Sequence, residues 1–458
     1  MKFKTNLVVG VIFAALFAFV YMYEIRGGED RRQQAARSKQ LLEFKESEVK
    51  RIVIGRGDTT IVLAKDQGNW AISAPIKDGA DTDAVVRYLR NIAESEREKI
   101  VADSSEASDP TLASRYGFSA PRLQVLLETE DGLLDTLLFG ADTPTDRYTY
   151  VKQSGSNPEI FAVRAWRFDN LDKGVMDLRN RRVMDLVRGE VVAARRQGTL
   201  GDIALVKEGE EWLLSVPLNA RAAADAVEAL LAKIEASQVE KFVDEDPDAR
   251  ALAEYGLAPA AQVEWTLLAR SERAEKRLSI GRDDGEGRYY ARGSERPQVF
   301  LVDSTLVQKL TQASDELRDK KPLRLERDAI TEIALSRADA LVLRADKDST
   351  GVWSLVAPEK SEAKSWKLNS LLTDLSELEA TAFSSAQGGD LLLSIELGSG
   401  EQTLHLLRFY NRDGEVFLEQ NDDVASYRID SDNFAEVDVE FDEIQQLRAA
   451  TDSTVVGK

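Results

Sequence analysis

The chain contains no cysteine. Disulfides, thiol catalysis and cysteine-ligated metal are therefore excluded. It has one histidine, His405, in the apolar stretch TLHLLRF. A Ser-His-Asp triad or a histidine-rich metal site would have to be built on that residue alone. It sits in a strand-like run with no nucleophile signature beside it, so a solvated or hydrogen-bonded structural role is expected. No G-x-S-x-G, H-E-x-x-H or P-loop pattern occurs. Positive charge is also in short supply: 60 Lys and Arg stand against 80 Asp and Glu, a net charge of −20. A surface of that sign repels phosphate backbones, so nucleic acid is not an expected partner.

Long apolar runs are equally scarce, with a single exception at the N-terminus. LVVGVIFAALFAFVYMY, Leu7 to Tyr23, carries no charge over 17 residues, which as a helix is roughly 25 Å, the short end of a bilayer crossing. Along it lie Leu7, Gly10, Phe13, Leu16, Phe19 and Tyr23, with Tyr21 and Tyr23 where an interfacial aromatic belt belongs. YMYEIRGG offers no small-residue pair in the frame a cleaved leader needs, so an uncleaved anchor is expected over a signal peptide. Lys2 and Lys4 favour a cytoplasmic N-terminus, whereas Arg26, Arg31, Arg32 and Arg37 on the far side oppose it. Long domains translocate largely regardless of flanking charge. The expectation is thus a single-pass inner-membrane protein with its bulk in the periplasm.

What the chain has in plenty is repetition. NWAISAP (Asn69 to Pro75), EWLLSVP (Glu211 to Pro217) and VWSLVAP (Val352 to Pro358) place Trp70, Trp212 and Trp353 five residues before Pro75, Pro217 and Pro358. Fifteen residues beyond each Trp, an i, i+3, i+4, i+7 apolar set opens: Val85, Tyr88, Leu89, Ile92; then Val227, Leu230, Leu231, Ile234; then Leu368, Leu371, Leu372, Leu375. That spacing is one face of an amphipathic helix. Identical offsets in three places indicate one unit used three times. The Trp is read as heading a strand, its ring packed on the helix that follows. A platform of exposed indoles for sugar or peptide is the rival reading.

The first two copies agree further. DPTLASRYGFSAP (Asp109 to Pro121) matches DPDARALAEYGLAP (Asp246 to Pro259), and LLFGAD (Leu137 to Asp142) matches LSIGRD (Leu278 to Asp283). Asp before Pro suits a helix start, and Gly117 and Gly256 suit the left-handed position that ends one. RYTYVK (Arg147 to Lys152) matches RYYARG (Arg288 to Gly293), and PEIFAV (Pro158 to Val163) matches PQVFLV (Pro297 to Val302). Each copy closes on a helix ending in DLRNRR (Asp177 to Arg182) or ELRDKK (Glu316 to Lys321), whose cations suit a helix C-terminus. The third copy keeps the Trp unit but passes through SSAQGGD (Ser384 to Asp390) without the DP…YG helix. Each repeat reads as three strands, a helix, a short helix, four strands and a closing helix. The strands meander locally, which gives an α+β fold of mainly antiparallel sheets.

The expected organisation is a cytoplasmic tip and anchor (1–23), a polar, partly helical stalk (24–45), repeats over 46–183, 184–323 and a shortened 324–449, and a loose tail (450–458). Two acidic stretches invite a calcium reading, VDEDPDAR (Val243 to Arg250) and NRDGEVFLE (Asn411 to Glu419). With Gly414 as the loop glycine, Gln420 stands where the calcium loop needs a Glu and Phe409 where it needs an oxygen ligand, so the pattern fails. GRDDGEGR (Gly281 to Arg288) lacks a phosphate loop's Lys-Ser/Thr end and reads as a turn. No cofactor is expected.

The W-x-x-x-x-P, D-P…Y-G-x-x-P and I/F-G-x-D elements, behind MKFKT, an apolar run and YEIRGGEDRR, resemble the domain-of-unknown-function 4340 family. The resemblance spans about nine-tenths of the chain. It implies a membrane-anchored extracytoplasmic bacterial repeat protein of the kind encoded beside ABC transporter permeases and gliding-type auxiliary proteins. It implies a partner and carries over no catalytic residue. The functional expectation is a non-enzymatic accessory or scaffold subunit of an ABC-type transport or gliding-like envelope complex. An envelope module binding glycan, lipid or peptide is the alternative, and a carboxylate-pair hydrolase a further one.

Overall fold

The structure, a computed structural model, describes residues 16–17, 21 and 39–446, apart from 104, 108, 155–157, 271–274, 401 and 422–425. Of the anchor positions, Leu7, Gly10, Phe13, Phe19 and Tyr23 lie outside the described residues, and Leu16 is helical and exposed. Among the described residues no helix is long and apolar enough to cross a membrane.

The first repeat contains nine strands: β1 (Val49–Arg56), β2 (Thr59–Asp66), β3 (Asn69–Ala74), β4 (Asp78–Gly79), β5 (Lys99–Ala102), β6 (Leu123–Thr129), β7 (Gly132–Asp142), β8 (Tyr148–Gln153) and β9 (Glu159–Arg164). Its helices are α1 (Thr82–Ala93), α2 (Pro110–Arg115), α3 (Ala165–Leu171) and α4 (Val175–Leu178). The strands form one sheet in the order β4-β3-β2-β1-β6-β7-β8-β9-β5. The strand sets from Val191–Gly198 to Val299–Asp303 and from Glu332–Arg337 to Ser426–Ile429 build two more nine-stranded sheets in the same order. The pairings are antiparallel, as in β1 with β2 and β6 with β7. Sequence reading missed two strands per repeat. One is the two-residue β4, too short to show periodicity. The other is β5, an edge strand whose KIVA carries only one fully buried side chain.

The topology follows from where the chain must travel. After β4 at one edge, α1 carries it to β5 at the other edge. α2 then returns it to β6, beside β1 in the middle of the sheet. Asp81 caps α1 by accepting from the Ala84 amide at 2.9 Å. Val85, Tyr88, Leu89 and Ile92 are buried against one sheet face, as are the matching quartets on Ala224–Ala236 and Ser365–Glu377. Each such side chain stabilises by about 1.5–3 kcal/mol as an upper estimate. On the opposite face a smaller core of Ala102, Ala107, Phe118 and Ile160 lies under α2. Alternation along β9 supplies both: Ile160 faces the small core, while Phe161 and Val163 face the large one.

The YG and I/F-G-x-D motifs are two halves of one lock. Gly117 and Gly256 end their helices at φ of 84° and 72°. The carbonyls of Tyr116 and Tyr255 then accept from Ala141 and Arg282 at 2.8 and 3.0 Å. A Cβ on Gly140 or Gly281 would overlap those same carbonyl oxygens, so the second glycine is required by close approach. The second copy departs from expectation at its helix start. Asp109 caps α2, but the counterpart helix, Ala249–Glu254, is capped by Asp248 rather than Asp246, because two extra residues separate Asp246 from the Tyr-Gly pair. In the third repeat, where that helix is missing, Arg412 takes over. It donates to the carbonyls of Ala386 and Gly388, pairs with Glu419 at 2.6 Å and lies over Phe417.

The 24–45 stretch also differs at its end from the polar stalk expected. Leu41 and Leu42 are buried in the first repeat's core. The Leu41 amide donates to Ser95 at 2.6 Å, and the Arg97 amide to Lys39 at 2.7 Å. The later linkers are held the same way, with Val239 donating to Arg181 and Ala380 to Lys320.

The chain forms two compact units. Among the described residues, one comprises those up to 183 with 238–246 and 296–299; the other comprises 184–237, 247–295 and those from 300 onward. Residues 238–246, part of the second repeat by sequence, belong to the first unit because the end of the first repeat is anchored among them.

Candidate functional site

The recurring Trp residues are 4%, 2% and 0% exposed at Trp70, Trp212 and Trp353. Each stands opposite a lysine in the neighbouring strand: Lys65, Lys207 and Lys347. The Trp353 indole donates to Asn369 of the following helix at 3.1 Å, while the Trp212 indole N–H is buried without a partner. Pro75, Pro217 and Pro358 each follow a cis peptide bond at the end of the Trp strand.

The segment after each closing helix returns to the first edge of its sheet. Ala80 bridges Arg179, Ala222 bridges Arg318, and Ala363 bridges Gln445. These three residues are therefore structural equivalents. Arg179 and Arg318 stand at helix C-caps, as expected of these cations, and both are buried there.

Within the first unit, the Arg179 side chain is 2% exposed. Its Nε donates to Asp78 at 2.6 Å, and its two terminal nitrogens donate to Glu245 at 2.7 and 2.8 Å. Its guanidinium lies 3.2 Å from the centre of the Phe242 ring. Arg296 also approaches Asp78, at 3.8 Å. The cation is fully answered: two carboxylates and an aromatic face meet it where water does not.

Within the second unit, Arg318 is 3% exposed and stacks on Phe383 at 4.0 Å, with Tyr427 at 5.1 Å. The aromatic half of the arrangement is kept. The acidic half is gone: Ala220 occupies the register position of Asp78, opposite Leu214 as Asp78 is opposite Ile72. Ala386 stands three residues after Phe383, as Glu245 does after Phe242. Among the described residues no carboxylate pairs with Arg318, and its Nε is buried without a hydrogen-bond partner. A cavity of about 900 Å³ opens beside it, walled by Pro217, Arg221, Asp315, Arg318, Phe383 and Tyr427 among others. Arg221 is itself engaged, 3.5 Å from Asp319. A buried cation with an apolar floor and an open side is suited to holding an anion.

The remaining candidates resolve into local structure. His405 shares a hydrogen bond with Gln420 at 3.2 Å, and burial lowers its pKa from the usual histidine value. In GRDDGEGR, Asp283 accepts from the Gly285 amide and Asp284 pairs with Arg288, which shapes a turn. Asp413 and Gly414 take left-handed φ of 52° and 85° between two hairpin strands. Of the VDEDPDAR acids, Glu245 is used by Arg179 and Asp248 by its helix. Among the described residues no group of three or more metal-ligating side chains converges.

The family model described as "Domain of unknown function (DUF4340)" matches residues 70–216 and 212–391. No curated protein matches the chain. Among solved structures, the DNA polymerase III subunit beta from Pseudomonas aeruginosa is 10% identical, covering 84% of this chain and 92% of that one at a TM-score of 0.15. The DnaN sliding clamp from the same organism bound to griselimycin is 8% identical, with coverage of 86% and 94% and a TM-score of 0.14. At those scores the likeness carries no argument about fold or function.

Proposed function

The chain belongs to the DUF4340 family, and from that premise we propose that it is a non-enzymatic scaffold. In this reading it is an accessory subunit anchored in the inner membrane by residues 7–23, with its repeats in the periplasm. There it serves an ABC-type transport or gliding-like envelope complex by docking a permease or an auxiliary protein. One observation supports it above others. Every feature that recurs along the chain (the Trp, the helix quartet, the tyrosine–glycine lock) is used in a core or a turn, and none of them in a set of converging reactive groups. Purification of the full chain in mild detergent should co-recover transporter subunits. Recovery of the chain alone, under conditions that keep ABC complexes intact, would refute the scaffold role. A reporter fused after residue 446 should be active only in the periplasm; activity in the cytoplasm would reverse the topology.

The second reading, an envelope ligand-binding module, loses its indole platform, since Trp70, Trp212 and Trp353 are buried. It gains the cavity beside Arg318.

A further inference from the structure

We propose that the cavity beside Arg318 binds an organic carboxylate with an apolar body, the carboxylate taking the place that Asp78 takes at Arg179. The inference stands on the comparison of two equivalent arginines in one chain and does not depend on the scaffold reading.

At Arg179 the structure displays the answer to a buried guanidinium: a carboxylate on Nε and a second across the terminal nitrogens. At Arg318 the backbone bridge and the aromatic stack are reproduced, but the register position of the first carboxylate holds Ala220. Nε–H is left buried and unpartnered. A guanidinium Nε–H buried without an acceptor is unfavourable by itself, and an anion from outside the described fold would supply one. The space for one is present: about 900 Å³ is the volume of an ordinary small-ligand site.

The walls narrow the chemistry. A planar guanidinium with its fork exposed matches a carboxylate in two-point contact. Pro217, Phe383 and Tyr427 offer apolar surface to the ligand's body, while Asn219, Gln420 and Asn421 offer amides. Asp315 lines the same cavity. Its charge disfavours a highly charged phosphate and leaves a single carboxylate acceptable.

The test is calorimetric titration of the full chain in detergent with N-acetylphenylalanine, octanoate and 3-phenylpropionate, and with N-acetylphenylalaninamide and inorganic phosphate as controls. At least one of the three acids should bind saturably, and N-acetylphenylalaninamide should bind at least about tenfold more weakly than its acid, since it lacks the charge that pairs with Arg318. Arg318→Met should abolish the binding. Ala220→Asp should also abolish it, by supplying internally the carboxylate that Arg179 already has. This second variant places a residue where the first repeat already carries it, so loss of binding in a folded protein is readable even if Arg318→Met fails to fold. Three results would each overturn the proposal: no saturable binding by any of the three acids, equal binding of N-acetylphenylalanine and its amide, or acid binding that survives Ala220→Asp. Phosphate binding tighter than every acid would overturn the carboxylate assignment.

Discussion

Arg179 and Arg318 sit at the same point of successive repeats, bridged to equivalent alanines, Ala80 and Ala222, and stacked on equivalent phenylalanines, Phe242 and Phe383. One is closed by Asp78 and Glu245; the other faces a cavity. The third equivalent is Gln445, a neutral residue in the third repeat. The comparison separates what the repeat needs from what one copy adds. Backbone pairing at the sheet edge needs no particular side chain. A buried cation there needs an aromatic face, and whether it also receives carboxylates is decided copy by copy. The lead-in segment extends the series: Ile100, the counterpart of Phe242 and Phe383, is 57% exposed.

The largest expected difference is between the two arginines themselves. Arg179→Met should destabilise the first unit by about 3–5 kcal/mol, because Asp78, whose side chain is 7% exposed, is left buried with its principal partner removed. Arg318→Met removes a buried charge that has no carboxylate, so its effect should stay within about 1 kcal/mol or be stabilising. Denaturant melts of the two variants decide this, and equal losses would erase the distinction between the junctions. Where the repeats are alike, mutations should act alike. Trp212→Ala and Trp353→Ala should each cost about 3–5 kcal/mol by thermal or denaturant unfolding, and wild-type melting in either would place that ring outside the core. Gly281→Ala should cost about 1–3 kcal/mol through overlap with the Tyr255 carbonyl. Wild-type stability in that variant would break the account of the motif.

The smallest effect is pH dependence in the first repeat. Burial alone would raise the pKa of Asp142, but hydrogen bonds from Arg122 and Thr149 and the Arg122 charge outweigh it and hold the carboxyl below its usual value. A depressed folded-state pKa contributes stability that is present above the unfolded aspartate range, about pH 4. That contribution is lost as pH falls through the folded value. Arg122→Met should remove this part of the acid dependence, seen as a rise in the Asp142 carboxyl titration by NMR. An unchanged titration would show that Arg122 does not set it.

Much of the architecture was legible in the order of residues. The helix quartets at fixed distance from each Trp and the glycine stops are local signals, because side-chain periodicity and backbone dihedrals are properties of neighbouring residues. β5 was not legible, since an edge strand has little alternation to show. Nor was the role of Leu41 and Leu42, where two apolar residues in a polar stretch carry no period. The burial of the junction arginines was not legible for a related reason. DLRNRR and ELRDKK look like helix-end cations, and the only hint of burial was a phenylalanine in the next repeat's edge strand.

That the chain is a threefold sheet-and-helix repeat could be deduced from periodicity, because hydrophobic spacing encodes which face of each element leaves water. Whether a given arginine meets two carboxylates or an open cavity could not. Asp78, Glu245, Ala220 and Ala386 lie far along the chain from the cations they serve or fail to serve, and only the closing of each sheet edge onto the next repeat brings them to the same place or leaves that place empty.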